Sequence, residues 1–117
     1  MTGLLSRLFG TKGAGVAWLD IADLKPRLGR VLLVDVRQPE EYAAPPGHLP
    51  GAINVPLAEV PVRTAELAAD GKPIVLVCKT DRRSARAAEV LLAAGLRNVA
   101  VLRGGTDGWH AQGLELE

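Results

Sequence analysis

The chain has 117 residues, enough for one compact domain around a single hydrophobic core. Hydrophobic residues make up 48% of the chain and aromatic residues only 3%, so the core is aliphatic and the composition is not that of a disordered protein. The net charge of +1 argues against nucleic-acid binding, and no apolar run is long enough for a transmembrane helix or a secretory signal.

The first fifteen residues form a candidate N-terminal arm. Apolar side chains at positions 4, 5, 8 and 9 would share one face of a short amphipathic helix. Such an arm is either a docking or frayed terminus or a segment that binds a protein partner or a membrane surface. The domain itself is expected to cover residues 16–117.

From residue 16 onward, apolar runs alternate with helical patterns. Strands are predicted at 31–36, 52–55, 73–77 and 99–102. Helices are predicted at 20–29, with Asp20 as N-cap and Gly29 as stop, at 39–43, within 57–69 with a break at Pro61, at 84–94 and at 106–112. In the helix at 84–94, the predicted buried stripe is Ala85, Ala88, Leu91 and Leu92, and Gly95 follows the helix. Alternating strands and helices predict an α/β domain with a mainly parallel sheet.

Polar clusters follow three of the predicted strands, at residues 35–37, 78–83 and 103–105. In open parallel sheets the functional site lies at the carboxyl ends of the strands. The three clusters are therefore expected to converge at one edge of the sheet.

The second cluster begins with Cys78, the only cysteine of the chain. A single cysteine excludes an internal disulfide and fits a reducing compartment, so we expect a cytoplasmic protein. A lone cysteine is most often a small buried hydrophobe, but this one sits where a strand gives way to a loop and a helix.

The stretch 78–86 carries four basic residues against one acidic residue, Asp81, a net charge of +3. Its basic residues are Lys79, Arg82, Arg83 and Arg86. Positive side chains and a helix N-terminus favour the thiolate of Cys78 over the thiol. Successive backbone N–H groups in such a loop can also cradle a small anion. The pattern predicts a nucleophilic thiolate in an anion-binding loop.

Neither histidine is a convincing catalytic base. His48, in a Pro/Gly-rich loop, is expected to fix that loop through hydrogen bonds, and His110 lies on the last helix. One cysteine and two scattered histidines lack the spacing of a zinc site, so we expect neither a metal nor a cofactor.

Four segments, in order, resemble the rhodanese family, in particular its single-domain members. They are LVDVRQPEEY (33–42), GHLPGAINVP (47–56), VCKTDRRSA (77–85) with its C-x4-R-S pattern, and LRGGTDGWHAQGL (102–114). The resemblance implies a rhodanese-like fold, a five-stranded, mostly parallel sheet with helices on both faces. It also implies a thiosulfate sulfurtransferase, in which sulfur passes from thiosulfate to the Cys78 thiolate and then, as a persulfide, to cyanide or a cellular thiol.

The resemblance also implies residue roles. Cys78 would be the nucleophile, and the loop Lys79, Thr80, Asp81, Arg82, Arg83 and Ser84 would bind substrate and persulfide. The N–H groups of residues 79–83 would hold the persulfide, with Arg83 or its neighbour binding the anion. Ser84 would either donate a hydrogen bond to the sulfur or cap the helix.

Supporting roles fall on the neighbouring strand ends. Asp35 and Arg37 would brace the loop, or would form only a surface ion pair of little consequence. Gly104 and Gly105 would allow close backbone approach. Trp109 is expected to be a packing anchor.

Two departures from the family pattern stand out. Asp81 replaces a glycine found in many relatives, and its carboxylate should either repel substrate or cap the helix. Pro45 and Pro46 lengthen the loop before Gly47, which would reshape the rim of the pocket.

Two other functions fit the same fold. A phosphatase or arsenate reductase would need one more residue in the loop, C-x5-R, and here the sixth position after Cys78 is Ser84. A non-enzymatic binding module or persulfide carrier serving a partner protein would have the same loop.

Overall fold

The structure is a computed structural model that describes residues 16–117, so the predicted arm lies outside the described residues. The strands are β1 (Ala17–Leu19), β2 (Leu32–Asp35), β3 (Ile53–Asn54), β4 (Ile74–Val77) and β5 (Val99–Leu102). The α-helices are α1 (Ile21–Leu24), α2 (Pro39–Ala43), α3 (Thr64–Ala69), α4 (Arg82–Ala93) and α5 (Gly105–Ala111). Two 3-10 helices, Lys25–Arg27 and Leu57–Val62, complete the regular structure of this range.

The five strands form one sheet in the order β1-β5-β4-β2-β3, and every pairing between neighbours is parallel. The expected rhodanese-like architecture is confirmed, with the sheet wholly parallel across the described residues. Asp35 stands opposite Val77, and Leu76 opposite Val101, so the ends of β2, β4 and β5 lie side by side. The residues that follow these strands therefore share one edge, as the sequence predicts.

Both faces of the sheet are covered by apolar layers. Alternate strand residues enter two separate clusters: Leu33 and Val75 pack with Trp109 on one face, and Val34 and Leu76 pack on the other. β4 and β5 are uninterrupted apolar runs because their residues are buried on both faces of the sheet. Trp109 is the buried packing anchor that the sequence predicts, and its indole N–H donates to the carbonyl of Glu115 at 2.8 Å.

Helix α4 begins two residues earlier than predicted, and its buried stripe is Ser84, Ala87, Ala88 and Leu91. Ala85 and Leu92, predicted to be in the stripe, are only half-buried. The helix ends as predicted, because Gly95 has a φ of +98° and the N–H groups of Gly95 and Leu96 donate to the carbonyls of Leu92 and Leu91. The early start brings the first turn of α4 directly behind Cys78.

The N-terminal part of the domain departs most from the predicted elements. The helix predicted over 20–29 is instead the short α1 followed by a 3-10 turn that contains a proline. Asp20 occupies the N-cap position, but its carboxylate accepts a hydrogen bond from Arg103 at 2.9 Å rather than capping the helix. Strand β1 was not predicted, because three residues are too few to show a period.

The predicted interruption lies two residues later than Pro61: a 3-10 helix over Leu57–Val62 contains Pro61, and Arg63 separates it from α3. Within residues 16–117, none of the helices has the length and apolar character needed to cross a membrane.

Candidate active site

Cys78 immediately follows β4, at the carboxyl edge of the sheet, and is 1% exposed. Its Sγ lies 3.3 Å from the hydroxyl of Ser84 and 3.4 Å from the backbone nitrogen of Ser84, whose N–H donates to the sulfur. Ser84 is itself fully buried in the first turn of α4. The side chain of Ser84 therefore contacts the sulfur rather than capping the helix.

The loop after Cys78 is fixed by its carbonyl groups. The carbonyls of Cys78 and Lys79 accept hydrogen bonds from the N–H groups of Thr106 and Asp107, at 2.9 and 3.0 Å, in the first turn of α5. The backbone N–H groups of residues 79–83, in contrast, donate to no acceptor within residues 16–117. Unpaired N–H groups beside a sulfur at a helix N-terminus are the arrangement that binds an anion.

The close approach of this loop to α5 depends on Gly105. A Cβ atom at Gly105 would lie within 3 Å of the carbonyl oxygens of Cys78, Lys79 and Thr80, and the residue has a φ of +57°. Gly104, with a φ of +85°, forms the turn that precedes α5. The predicted close backbone approach is present at Gly105, whereas a Cβ at Gly104 would meet only the Cα of Gly108 at 3.6 Å, an ordinary contact.

The expected helix cap by the Asp81 side chain is absent. Asp81 occupies the N-cap position of α4, but the carboxylate makes no capping hydrogen bond. Its Oδ2 instead accepts from the N–H of Gly104 at 3.4 Å. The carboxylate thus connects the Cys78 loop to the turn between β5 and α5.

Asp35 and Arg37 form a buried, bidentate ion pair, so the alternative of a surface pair is wrong. Side-chain exposures are 0% and 7%, and the closest nitrogen-to-oxygen distance is 2.8 Å. Arg37 also donates to the carbonyl of Gly47 at 3.0 Å, and the amide of Asn54 donates to the carbonyls of both residues. The pair therefore anchors the proline-rich loop that faces the Cys78 loop.

Two of the basic side chains in the Cys78 loop, Lys79 and Arg83, are also paired with carboxylates. Arg83 donates to both oxygens of Glu41, at 2.7 and 3.1 Å. Lys79 contacts both oxygens of Asp107 at 3.0 Å. Arg82 is exposed and has no ion-pair partner within the described part of the chain. Glu41 and Asp107 come from other elements, α2 and α5, so the charge count of the loop alone overstates its positive field.

The ion pair between Glu41 and Arg83 shifts the pKa of both groups. The hydrogen bond from Arg83 lowers the pKa of Glu41 to about 2 despite the opposing effect of burial. The hydrogen bond with Glu41 raises the pKa of Arg83, with smaller contributions from the nearby charges of Cys78 and Asp35. Glu41 is therefore ionised throughout the neutral range.

His48 has the loop-fixing role that the sequence predicts. Its ring stacks on Tyr42 with centroids 3.7 Å apart, and its Nδ1 lies 3.0 Å from the Tyr42 carbonyl. Its backbone exchanges two hydrogen bonds with Glu117, at 3.1 and 2.8 Å. These contacts hold the proline-rich loop against the C-terminal residue.

A cleft of about 340 Å³ lies beside the Cys78 loop. Pro45 and Pro46 line it, together with Ala44, which places the lengthened loop at the pocket as expected. The other lining residues are Arg37, Glu41, Gly47, Lys79, Thr106, Asp107 and His110. Apolar residues (Ala44, Pro45 and Pro46) and charged side chains both line the cleft.

The sequence model described as "Rhodanese-like domain" matches residues 20–112, which include the whole of this site. The chain belongs to the rhodanese-like family. A relative named sulfurtransferase, from Allochromatium vinosum, is 36% identical over 101 residues, which are 84% of this chain and 92% of the relative.

Two further proteins are similar to this rhodanese-like chain. A thiosulfate sulfurtransferase of Escherichia coli is 42% identical over 67 residues, which are 56% of this chain and 62% of that protein. A solved structure from Rhodopseudomonas palustris, described as a protein of unknown function and possible tyrosine phosphatase, has a TM-score of 0.80 and 25% identity. That match covers 99% of this chain and 92% of the other.

Sequence reasoning missed two acidic residues of this rhodanese-like site. Glu41 lies within a segment that the resemblance covers, and Asp107 follows the paired glycines, but neither stood out as a partner of a loop cation. Glu41 is 42 positions from Arg83, and Asp107 is 28 positions from Lys79. Contacts at such separations leave no periodic signal in a single sequence.

Proposed function

We propose that this rhodanese-like domain is a thiosulfate sulfurtransferase that carries sulfane sulfur as a persulfide on Cys78. The observation that carries the proposal is the environment of the Cys78 sulfur. It sits at the N-terminus of α4, in contact with Ser84, inside a loop whose N–H groups at 79–83 have no acceptor within residues 16–117. That environment stabilises a thiolate and then the persulfide anion one atom further out.

The proposed reaction has two displacement steps. The Cys78 thiolate attacks the outer sulfur of thiosulfate, a sulfur–sulfur bond forms, and the bond to sulfite breaks with its electron pair leaving on sulfite. The persulfide then gives its terminal sulfur to cyanide, forming thiocyanate, or to a cellular thiol, forming a new persulfide. Each transfer regenerates the Cys78 thiolate, which is covalent catalysis of the ping-pong kind.

The surrounding groups have separable roles in this proposal. Ser84 donates to the sulfur from a fixed position, because its side chain is buried and adjacent to Cys78. Gly105 lets the loop carbonyls turn toward α5, which leaves the loop N–H groups available to the persulfide. The buried Asp35–Arg37 pair positions the opposite wall of the cleft through Gly47.

The relatives support this proposal in part. The A. vinosum relative is named a sulfurtransferase and has nearly the same length as this chain. The E. coli relative is named for thiosulfate, but this chain spans only 62% of it. The identities of the sulfur donor and the sulfur acceptor are therefore part of the proposal.

Intact mass spectrometry tests the first step. Treating the protein with thiosulfate should add one sulfur atom, and cyanide or dithiothreitol should remove it. The Cys78→Ser variant should gain no sulfur while keeping the wild-type melting temperature. Sulfur transfer at the wild-type rate in that variant would rule out the proposed nucleophile.

Two activity assays on the wild-type protein distinguish the alternative functions. Repeated turnover with cyanide indicates an enzyme, whereas loading without turnover favours a persulfide carrier for a protein partner. An aryl phosphate tests the phosphatase alternative, which the R. palustris similarity raises. Hydrolysis of that phosphate without any sulfur loading would refute the proposal in favour of a phosphatase.

A further inference from the structure

Three basic side chains around the Cys78 loop are paired with carboxylates, as Arg37–Asp35, Arg83–Glu41 and Lys79–Asp107. Each of these three cations has its counter-charge within 3 Å, and Glu41 and Asp107 come from elements far from the loop in sequence. Arg82 is exposed and has no ion-pair partner within residues 16–117. Pairing of Lys79 and Arg83 therefore lowers the attraction that the loop exerts on a small dianion.

Two of the three carboxylates, Glu41 and Asp107, line the cleft, and Glu41 is the less exposed of the two, at 36% against 51%. Glu41 binds the guanidinium of Arg83 with both oxygens, and Arg83 belongs to the first turn of α4, directly before Ser84. An anion that enters the cleft therefore meets the carboxylate of Glu41, while the positive charge of Arg83 is already engaged.

We propose that Glu41 is a specificity-determining residue that disfavours doubly charged sulfur donors relative to singly charged ones. The inference rests on the proposed sulfur transfer and names the class of donor for the same site. A donor in which an organic group replaces one charged oxygen meets less repulsion from Glu41. Its organic group can also contact the apolar wall of Ala44, Pro45 and Pro46.

Two sulfur donors of similar shape and the same transfer chemistry, but different charge, isolate the effect of charge. Thiosulfate carries two negative charges, and methanethiosulfonate replaces one of its oxygens with a methyl group and carries one. Both give the outer sulfur to the Cys78 thiolate and release, with the electron pair of the broken bond, sulfite or methanesulfinate. The informative quantity is kcat/KM for thiosulfate divided by kcat/KM for methanethiosulfonate.

Glu41→Gln is the main variant, since the amide keeps an oxygen that can accept from the N–H of Gln38, as Glu41 does at 2.9 Å. We expect the ratio to rise about three- to tenfold, the size of one partly screened charge–charge interaction at a half-exposed site. Glu66→Gln is the matched control, because Glu66 forms a similar two-oxygen pair with Arg63 on the surface. The control should leave the ratio unchanged.

A second substitution, Glu41→Ala, removes the same charge and should also raise the ratio, so the test does not rest on the folding of one variant. Higher ionic strength screens the charge of Glu41, so the difference in ratio between either variant and the wild type should shrink as salt is added. A folded variant with an unchanged or lower ratio, or a difference that grows with salt, would overturn the inference while leaving the proposed function intact. Absence of sulfur loading from both donors in the wild type would instead refute the proposed function, and the inference with it.

Discussion

Gly105→Ala gives the sharpest test of how the Cys78 loop is held. The new Cβ would lie 2.6 Å from the carbonyl oxygen of Lys79 and at least as close to those of Cys78 and Thr80. The carbonyls of Cys78 and Lys79 cannot simply move away, because each accepts a hydrogen bond from the first turn of α5. A left-handed backbone costs a non-glycine residue about 1–2 kcal/mol, and overpacking adds about 1–3 kcal/mol. We therefore expect a loss of about 2–5 kcal/mol in the free energy of unfolding.

Urea denaturation measures this loss, and Gly113→Ala is the matched control. Gly113 has a φ of +74° but no atom within 4 Å of the Cβ position, so only the backbone penalty of about 1–2 kcal/mol applies. Sulfur loading from thiosulfate should fall in Gly105→Ala and persist in Gly113→Ala, because only the first displaces the loop. Equal stability losses in the two variants, with full sulfur loading in both, would refute the packing argument.

Two further predictions concern the ion pairs. Asp35→Asn should lower the free energy of unfolding by about 3–5 kcal/mol in urea denaturation, because it leaves the charge of Arg37 buried without a counter-charge. Glu66→Gln, at an exposed pair, should cost far less, and similar losses in both variants would contradict this. The pKa of Glu41 is lowered from 4.5 to about 2, so its pair with Arg83 contributes fully above about pH 4.5 and is lost as the pH falls toward 2. The stability difference between wild type and Glu41→Gln should shrink over that window, and a difference independent of pH would argue against the pair.

The sequence predicts the central sheet well and its first strand not at all. β4 and β5 are uninterrupted apolar runs and β2 is apolar up to Asp35, because both faces of the sheet are covered, and a run of that kind is visible in one sequence. β1 is only three residues long, and it joins the sheet through β5, more than 80 positions away. Its existence depends on a pairing that local pattern does not encode.

The charge around the Cys78 thiol also depends on tertiary contacts that the local sequence does not predict. The sequence places Lys79, Arg82 and Arg83 beside Cys78 and predicts a strongly positive loop. Folding brings Glu41 and Asp107 onto two of these cations, Lys79 and Arg83, so the positive charge is smaller than predicted. Local charge counting fails here because electrostatic interactions depend on distance in space rather than along the chain.

The sequence by itself singled out Cys78 as the candidate nucleophile, and it predicted the edge of the sheet on which Cys78 lies and the family. These follow from local order, since a buried strand, a cysteine and a helix succeed one another within twenty residues. Only the tertiary structure decided which groups the loop presents. It turned the carbonyls of residues 78 and 79 toward α5, buried Asp35 with Arg37, and placed the carboxylate of Glu41 on Arg83. Each of these depends on elements far apart in sequence that meet only because parallel strands end at a common edge.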